Sequence, residues 1–479
     1  MKKNIFNFLL IGIWVFIVLY TALKHELWFD EITSIGLVKY CSLPDLFKML
    51  RTTEGHPCLW YLLELPFVKL GFYPEIVQVL SFFFTAVSVC YFCLRSRFNY
   101  ILKSIFIFSA GMLYLLPVIA RSYSLIPILI FVLADLYPKR HEKPLLYAVF
   151  LVLLSQVHSL TWGFCIVCSC LFIYEMSMKF IKDRAYNSQN AVIRCIYFIP
   201  AIILLLNFIF TFLFFKDLIL NYDFFGREKP PAFWEGLALT KENIYDFISF
   251  VPVHMELHGI LLQIFIAAGL IFLGSLFLIN KKSFLIFFSA VFSFEYIMLK
   301  VYLLVTSQKL FVIFLFLIFS CWILEKQNTL VWKIKEASLY IILVIMFFNP
   351  LSFKAAADDI KNYFSNYPIT AEYLKTNLKE DETVLFIGNS WEYYKLILEH
   401  QLTYILLKDL PQYPIDNKFL EKYIIDSRLN IKYIIMSAGV ENNIKPPYIK
   451  VFETPKNTVN SVQIGQNFGN DFIVYKKID

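Results

Sequence analysis

Residues 28–60, WFDEITSIGLVKYCSLPDLFKMLRTTEGHPCLW, follow the first apolar run of the chain, and the reading of everything else depends on them. They carry an adjacent acidic pair, Asp30 and Glu31, and end in Glu54-Gly55-His56-Pro57 before the sequence turns apolar again. Carboxylates and a histidine set against the start of a hydrocarbon-embedded domain are costly, so their presence there asks for a reason.

The composition surrounding this stretch is that of a membrane protein. Of 479 residues, 58% are hydrophobic and only 17% charged, where a soluble domain carries about 25%. Mean hydropathy is +0.62, and long apolar runs recur along the chain, as in a polytopic membrane protein. The net charge of +7 is no sign of nucleic-acid binding, because the basic residues are scattered among short loops. From Leu351 onward Lys and Arg number 15 against 16 acidic residues, so the whole excess belongs to the first 350 residues. The first run follows Lys2-Lys3 like a signal peptide, but no small-residue cleavage site follows Tyr20, and it reads as a retained anchor. The nine cysteines form no framework. Cys90-x-x-Cys93 lies inside an apolar helix and reads as packing, while Cys41 and Cys58 in the opening loop are close enough in sequence to pair.

Eleven spanning helices are expected: 5–23, 75–94, 101–118, 122–137, 144–159, 160–178, 195–215, 259–279, 284–304, 309–325 and 337–350. Lys and Arg near span ends favour the cytoplasm. Six basic clusters satisfy this preference together: Lys2-Lys3; Arg95, Arg97 and Lys103; Lys139, Arg140 and Lys143; Lys179 to Arg194; Lys281-Lys282; and Lys326, Lys333 and Lys335. The condition is a single crossing between Asp30 and Arg95. Segment 58–71 is too short to span and is interrupted by Glu64, Pro66 and Lys69, so it is expected to lie along the interface. The opening loop (24–74), the turns around Arg121, His158 and Lys309, the long loop 216–258 and the tail then share the outer side. The opposite ends are left with solvated Lys and Arg. From about Ala355 the composition becomes that of a soluble protein. Strands are expected at 383–390, 403–407, 431–437 and 472–477, with helices at 369–379, 391–400 and 417–428, giving a small α/β domain over 351–479 after an all-α membrane domain over 1–350. Gly388 reads as a plain turn rather than a nucleotide site.

Several residues can carry chemistry. Asp30 is expected to cap a helix starting at Glu31, and either carboxylate could also act as a general base. Glu54 and His56 either contact a donor phosphate or hold a divalent cation beside Asp30; both options stay open. Arg121, in the turn Arg121-Ser122-Tyr123, violates the positive-inside preference and should meet an anion, either lipid headgroups or a polyprenyl phosphate that its guanidinium can grip with two hydrogen bonds. Lys309 is a second phosphate ligand by the same reasoning. His158 and Trp162 flank the next outer turn, and Glu295 and Lys300 lie in the outer half of one helix, where charge is usually functional. His254 and His258 stand one helical turn apart but lack the Glu of a zincin motif.

The acidic pair after the first helix, the His-Pro before an aromatic-rich interfacial helix, and the ARSYS turn (Ala120 to Ser124) together resemble the GT-C membrane glycosyltransferases. The resemblance is to bacterial relatives of dolichyl-phosphate-mannose:protein mannosyltransferases and aminoarabinose transferases, over about residues 5–350. It implies an inverting transfer from a polyprenyl-phosphate sugar to a periplasmic glycan, lipid or protein at a bacterial inner membrane. Asp30 would be the base with Glu31 beside it, and Arg121, Lys309, Lys300 and His56 would bind phosphate. Glu54, Tyr123, His158 and Trp162 would contact substrate. Cys58 stands where the family often has a second proline. Two rival readings are an O-antigen polymerase or ligase, which would rely on late-loop residues such as Arg227 and His254, and a lipid-linked glycan flippase, which would show broken helices around charges near the bilayer midplane.

Overall fold

A computed structural model describes residues 2–186, 191–220, 255–300, 307–326, 328–347, 357, 367–378, 383–387, 405–408, 431–437, 448–453 and 472–477. Within these, the apolar runs fold as helices: α1 (Lys2–Ala22), α2 (Phe29–Tyr40), α3 (Leu43–Met49), α4 (Leu59–Lys69), α5 (Ile76–Arg95), α6 (Tyr100–Ile107), α7 (Ile126–Leu136) and α8 (Pro144–Ser155). They continue as α9 (Trp162–Tyr186), α10 (Ala191–Leu220), α11 (Met255–Ile279), α12 (Lys281–Lys300), α13 (Ser307–Trp322) and α14 (Leu330–Phe347). Among the described residues, five stretches are long and apolar enough to cross a membrane: Ile5–Ala22, Ile76–Arg95, Ser122–Lys139, Ser159–Ile181 and Phe198–Lys216. Pro144–Ser155, Gln263–Ile279 and Gln308–Trp322 are apolar but shorter. The helix α4 has 11 residues, which at 1.5 Å per residue is about half of a 30 Å hydrocarbon core.

The chain divides into two compact units. The first comprises Met1–Leu23, Ser42–Leu63 and Gln78–Phe353; the second comprises Lys24–Cys41, Glu64–Val77 and Lys354–Asp479. The core of the first unit is aromatic. Phe92, Phe106, Phe131 and Trp322 interlock with ring centroids 4.8–6.0 Å apart, and Phe164 stacks on Phe316 at 5.0 Å. Such offset and edge contacts suit the ring quadrupoles and fill space densely. Glycine permits two close approaches. At Gly163 a Cβ would stand 2.0 Å from Ser293 Cβ, and at Gly111 it would stand 2.2 Å from the Phe311 ring.

One expected span is not a continuous helix. Segment 101–118 folds as α6, then a π-helical turn over Gly111–Leu115, then non-helical chain to Ala120. The break leaves carbonyls without helical partners, and side chains from elsewhere satisfy them. Trp14 Nε1 donates to Met112 O at 3.0 Å, Ser81 Oγ donates to Leu116 O at 3.0 Å, and Gln308 Nε2 donates to Leu115 O. Non-helical backbone among apolar helices persists only where protein groups replace water in this way.

In the second unit a five-stranded mixed sheet has the order β2-β1-β3-β5-β4, with β1 Thr383–Ile387, β2 Ile405–Lys408, β3 Ile431–Ser437, β4 Tyr448–Glu453 and β5 Phe472–Lys477. The first three are parallel, and β5 runs antiparallel to both neighbours. Val384, Leu385, Phe386, Ile434 and Ile435 are consecutive or nearly so and all buried, the pattern of strands covered on both faces. The strand β4 is an addition to the expected set: its half-exposed, charged sequence YIKVFE lies at the sheet edge, where apolar periodicity is weak. Tyr367–Asn377 is helical (α15), while the expected helices at 391–400 and 417–428 lie outside the described residues.

Candidate functional site

In the first unit, the local folding of three separate turns places the functional side chains. The first begins where Leu50–Glu54 forms a π-helical turn closed by Gly55 in the left-handed region (φ 67°, ψ 19°), whose N–H donates to Leu50 O at 2.9 Å. A side chain there would be strained. Pro57 follows, and the Leu59 N–H then donates to Gln156 O at 3.0 Å, while Cys58 Sγ approaches Gln156 Oε1 at 3.9 Å. The His56 loop is thereby tied to the second turn, which leads from α8 into α9. Gln156 is itself fixed, because its Nε2 reaches Asn207 Oδ1 and Thr211 Oγ1, each at 3.0 Å, on α10.

The result is a cluster of three rings. His158, fully buried, has its centroid 4.8 Å from that of His56 and 4.6 Å from that of Tyr123, the last pair 30° from parallel. Tyr123 comes from the third turn, a 3-10 segment over Ser122–Leu125 entered through Arg121. The Arg121 backbone carbonyl accepts from Ser124 N at 3.1 Å and from Ser124 Oγ at 3.0 Å, and its guanidinium carbon lies 5.7 Å from the Tyr123 ring centroid. Lys309 stands in the first turn of α13, next to the Gln308 that bonds the broken segment.

Electrostatics follow from this crowding. Burial, then Arg121, then Lys309 lower the His56 imidazole from its ordinary value near 6.5 to about 3. The same causes, together with His56, hold His158 well below its ordinary value. Both rings are therefore neutral at neutral pH, and the cluster has two fixed cations and two neutral imidazoles. Arrangements of this kind suit an anion with several oxygens.

In the second unit the first turn of α2 carries Asp30 and Glu31, and their roles differ from the sequence reading. The N-cap is Trp28, not Asp30. Glu31 Oε2 accepts the Trp28 N–H at 2.6 Å, as the third residue of a capping box does. The same oxygen lies 3.1 Å from His25 Nε2, and both side chains are buried. Asp30 keeps partial exposure. Sequence reasoning passed over His25; its signal was a histidine six residues before a capping glutamate. Gln156 and Gln308 were also missed, and only their distant partners reveal what they do.

The remaining expected residues fall as follows. Trp162 is buried, with its indole N–H bonded to Ser155 O at 2.9 Å and its ring 5.3 Å from that of Phe215. Glu54 is partly exposed and accepts from Tyr61 Oη at 3.4 Å. Lys300 ends α12, and its side chain lies outside the described residues, as do Arg227 and His254. Among the described residues, Cys41, Cys58, Cys90 and Cys93 form no disulfide. The basic helix ends are less solvated than expected. Glu175 joins Arg140 at 2.7 Å, Lys282 at 2.6 Å and His141 at 3.3 Å, and Lys103 is buried, donating to Cys93 O. Among the described residues no group of three or more His, Cys, Asp or Glu could hold a metal ion. No protein-family model matches the chain, and the search of curated proteins finds no match.

Proposed function

We propose that this protein is an integral-membrane glycosyltransferase of a bacterial inner membrane, taking a sugar from a polyprenyl-phosphate donor. The acceptor is a periplasmic glycan, lipid or protein, and transfer inverts the anomeric centre. The eleven-span topology, with the opening loop and the α/β tail outside, belongs to the same proposal. The observation that carries it is the cluster of Arg121, Lys309, His56, His158 and Tyr123, assembled from three turns and the first turn of α13. Two cations and neutral ring N–H donors suit a phosphate that gains charge as it leaves.

In the reaction, the acceptor hydroxyl oxygen bonds to the anomeric carbon and the carbon–oxygen bond to phosphate breaks, its electron pair going to the phosphate. A carboxylate takes the hydroxyl proton. Asp30 is the proposed base, because Glu31 is committed to Trp28 and His25. Arg121, Lys309 and His56 are the proposed phosphate ligands, with Lys300 a further one. Asp30→Asn should abolish transfer from a polyprenyl-phosphate sugar in purified protein while membrane insertion is unchanged; normal turnover in that variant would refute the role.

The helix break after α6 also fits a flippase or transporter. Its exposed carbonyls, however, are bonded by Trp14, Ser81 and Gln308, which leaves the break serving as scaffold rather than as a coordinating site for cargo.

A further inference from the structure

The two adjacent imidazoles of His56 and His158 are alike in chemistry and unlike in surroundings. His158 caps the short 3-10 turn Ser159–Thr161, and its Nδ1 accepts the Leu160 N–H at 3.2 Å, with Ser159 Oγ at 3.5 Å from the same nitrogen. A ring nitrogen that accepts from a backbone amide carries no hydrogen, so the hydrogen of neutral His158 is on Nε2. A second proton could enter only at Nδ1, where it would oppose the Leu160 N–H. His158 is therefore locked as a neutral donor, and its complete burial acts in the same direction.

His56 sits in the loop after Gly55 and keeps some exposed surface. The charged and titratable groups around it include Arg121, Lys309 and His158. Glu54 lies two residues away and accepts from Tyr61, and Cys58 is engaged with Gln156. Resting on the reading of this cluster as a phosphate site, we propose that His158 is its permanently neutral N–H donor and His56 the group that takes up a proton when the phosphate anion arrives. The anion offsets the field of Arg121 and Lys309 that keeps His56 neutral, and the resulting imidazolium adds a charged hydrogen bond to the ligand. The proton comes from solvent or buffer, whose bond to hydrogen breaks as the His56 N–H bond forms, and no bond between heavier atoms changes. By linkage, affinity for the phosphate then rises as pH falls below neutral.

The test is calorimetry on the full-length protein in nanodiscs, titrated with a short-chain polyprenyl phosphate in buffers of low and high ionisation enthalpy, slightly below neutral pH. Inorganic phosphate, and nanodiscs with or without phosphatidylglycerol, separate a free phosphate and a bulk lipid headgroup from the polyprenyl ligand. Wild-type protein should take up about one proton per ligand, and His56→Asn close to none. His158→Asn, whose Oδ1 can still accept the Leu160 N–H, should keep the proton uptake and lose about tenfold in affinity, the equivalent of one hydrogen bond. Binding without proton uptake in the wild type, or uptake that persists in His56→Asn and vanishes in His158→Asn, overturns the division of roles alone. Failure of polyprenyl phosphate to bind removes the phosphate reading as well.

Discussion

Two adjacent carboxylates in the first turn of α2 meet different surroundings, and their variants should behave differently. Glu31 is buried against His25 and the Trp28 N–H, so Glu31→Ala leaves a buried histidine and an amide unsatisfied and should cost about 3–5 kcal/mol. Thermal melting in detergent would show it, and an unchanged midpoint would count against the pairing. His56 supplies a pH dependence with a definite sign. Its folded value, about 3, lies below the ordinary 6.5 of the unfolded chain, so between these values the unfolded state holds the extra proton. Its contribution to stability is complete above pH 6.5 and declines as pH drops toward 3. Without ligand, the melting temperature of the wild type should fall more steeply than that of His56→Gln between pH 7 and about 4.5. At this scale the sequence was informative about residue type and poor about role. Arg121, Tyr123, His56 and His158 could be singled out by violated charge rules and helix-end position, but the Glu31–His25 pair and the Leu160 bond to Nδ1 depend on backbone geometry.

The elements show the same division. The short helix α4 was legible because Glu64, Pro66 and Lys69 interrupt an apolar run too brief to span. The broken segment after α6 was not, although Gly111 and Pro117 stand in it, because what stabilises the break is Trp14, Ser81 and Gln308, two of them far away in sequence. Close helix packing is testable here too. Gly163 on α9 faces Ser293 on α12, where a methyl would meet Ser293 Cβ at 2.0 Å and its Cα at 3.4 Å. Gly163→Ala should therefore cost about 1–3 kcal/mol by overpacking. Gly269 on α11 has open space around its Cβ position, and Gly269→Ala should be neutral or stabilise by up to about 1 kcal/mol through helix propensity. Equal melting temperatures for the two alanine variants would show that the α9–α12 approach is looser than described.

For the whole molecule, the alternation of basic clusters with apolar runs was enough to read a mostly helical chain with candidate membrane-spanning helices and a small sheet near its C-terminal end. The tail's parallel strands were visible as unbroken apolar runs, whereas the edge strand β4 lacked that signal. The proposed outer placement of the opening loop and of the Arg121 turn rests on the same charge alternation. It is also what the proposed lipid-borne donor requires, since the proposed base and phosphate ligands must be reached from one leaflet. The direct measurement is cysteine accessibility: Asp30→Cys and Arg121→Cys, each in a cysteine-free background, treated in intact cells with a membrane-impermeant maleimide. Labelling of both positions from outside is the result expected. Labelling of one from outside and the other only after the membrane is breached would contradict the proposed outer placement of both positions.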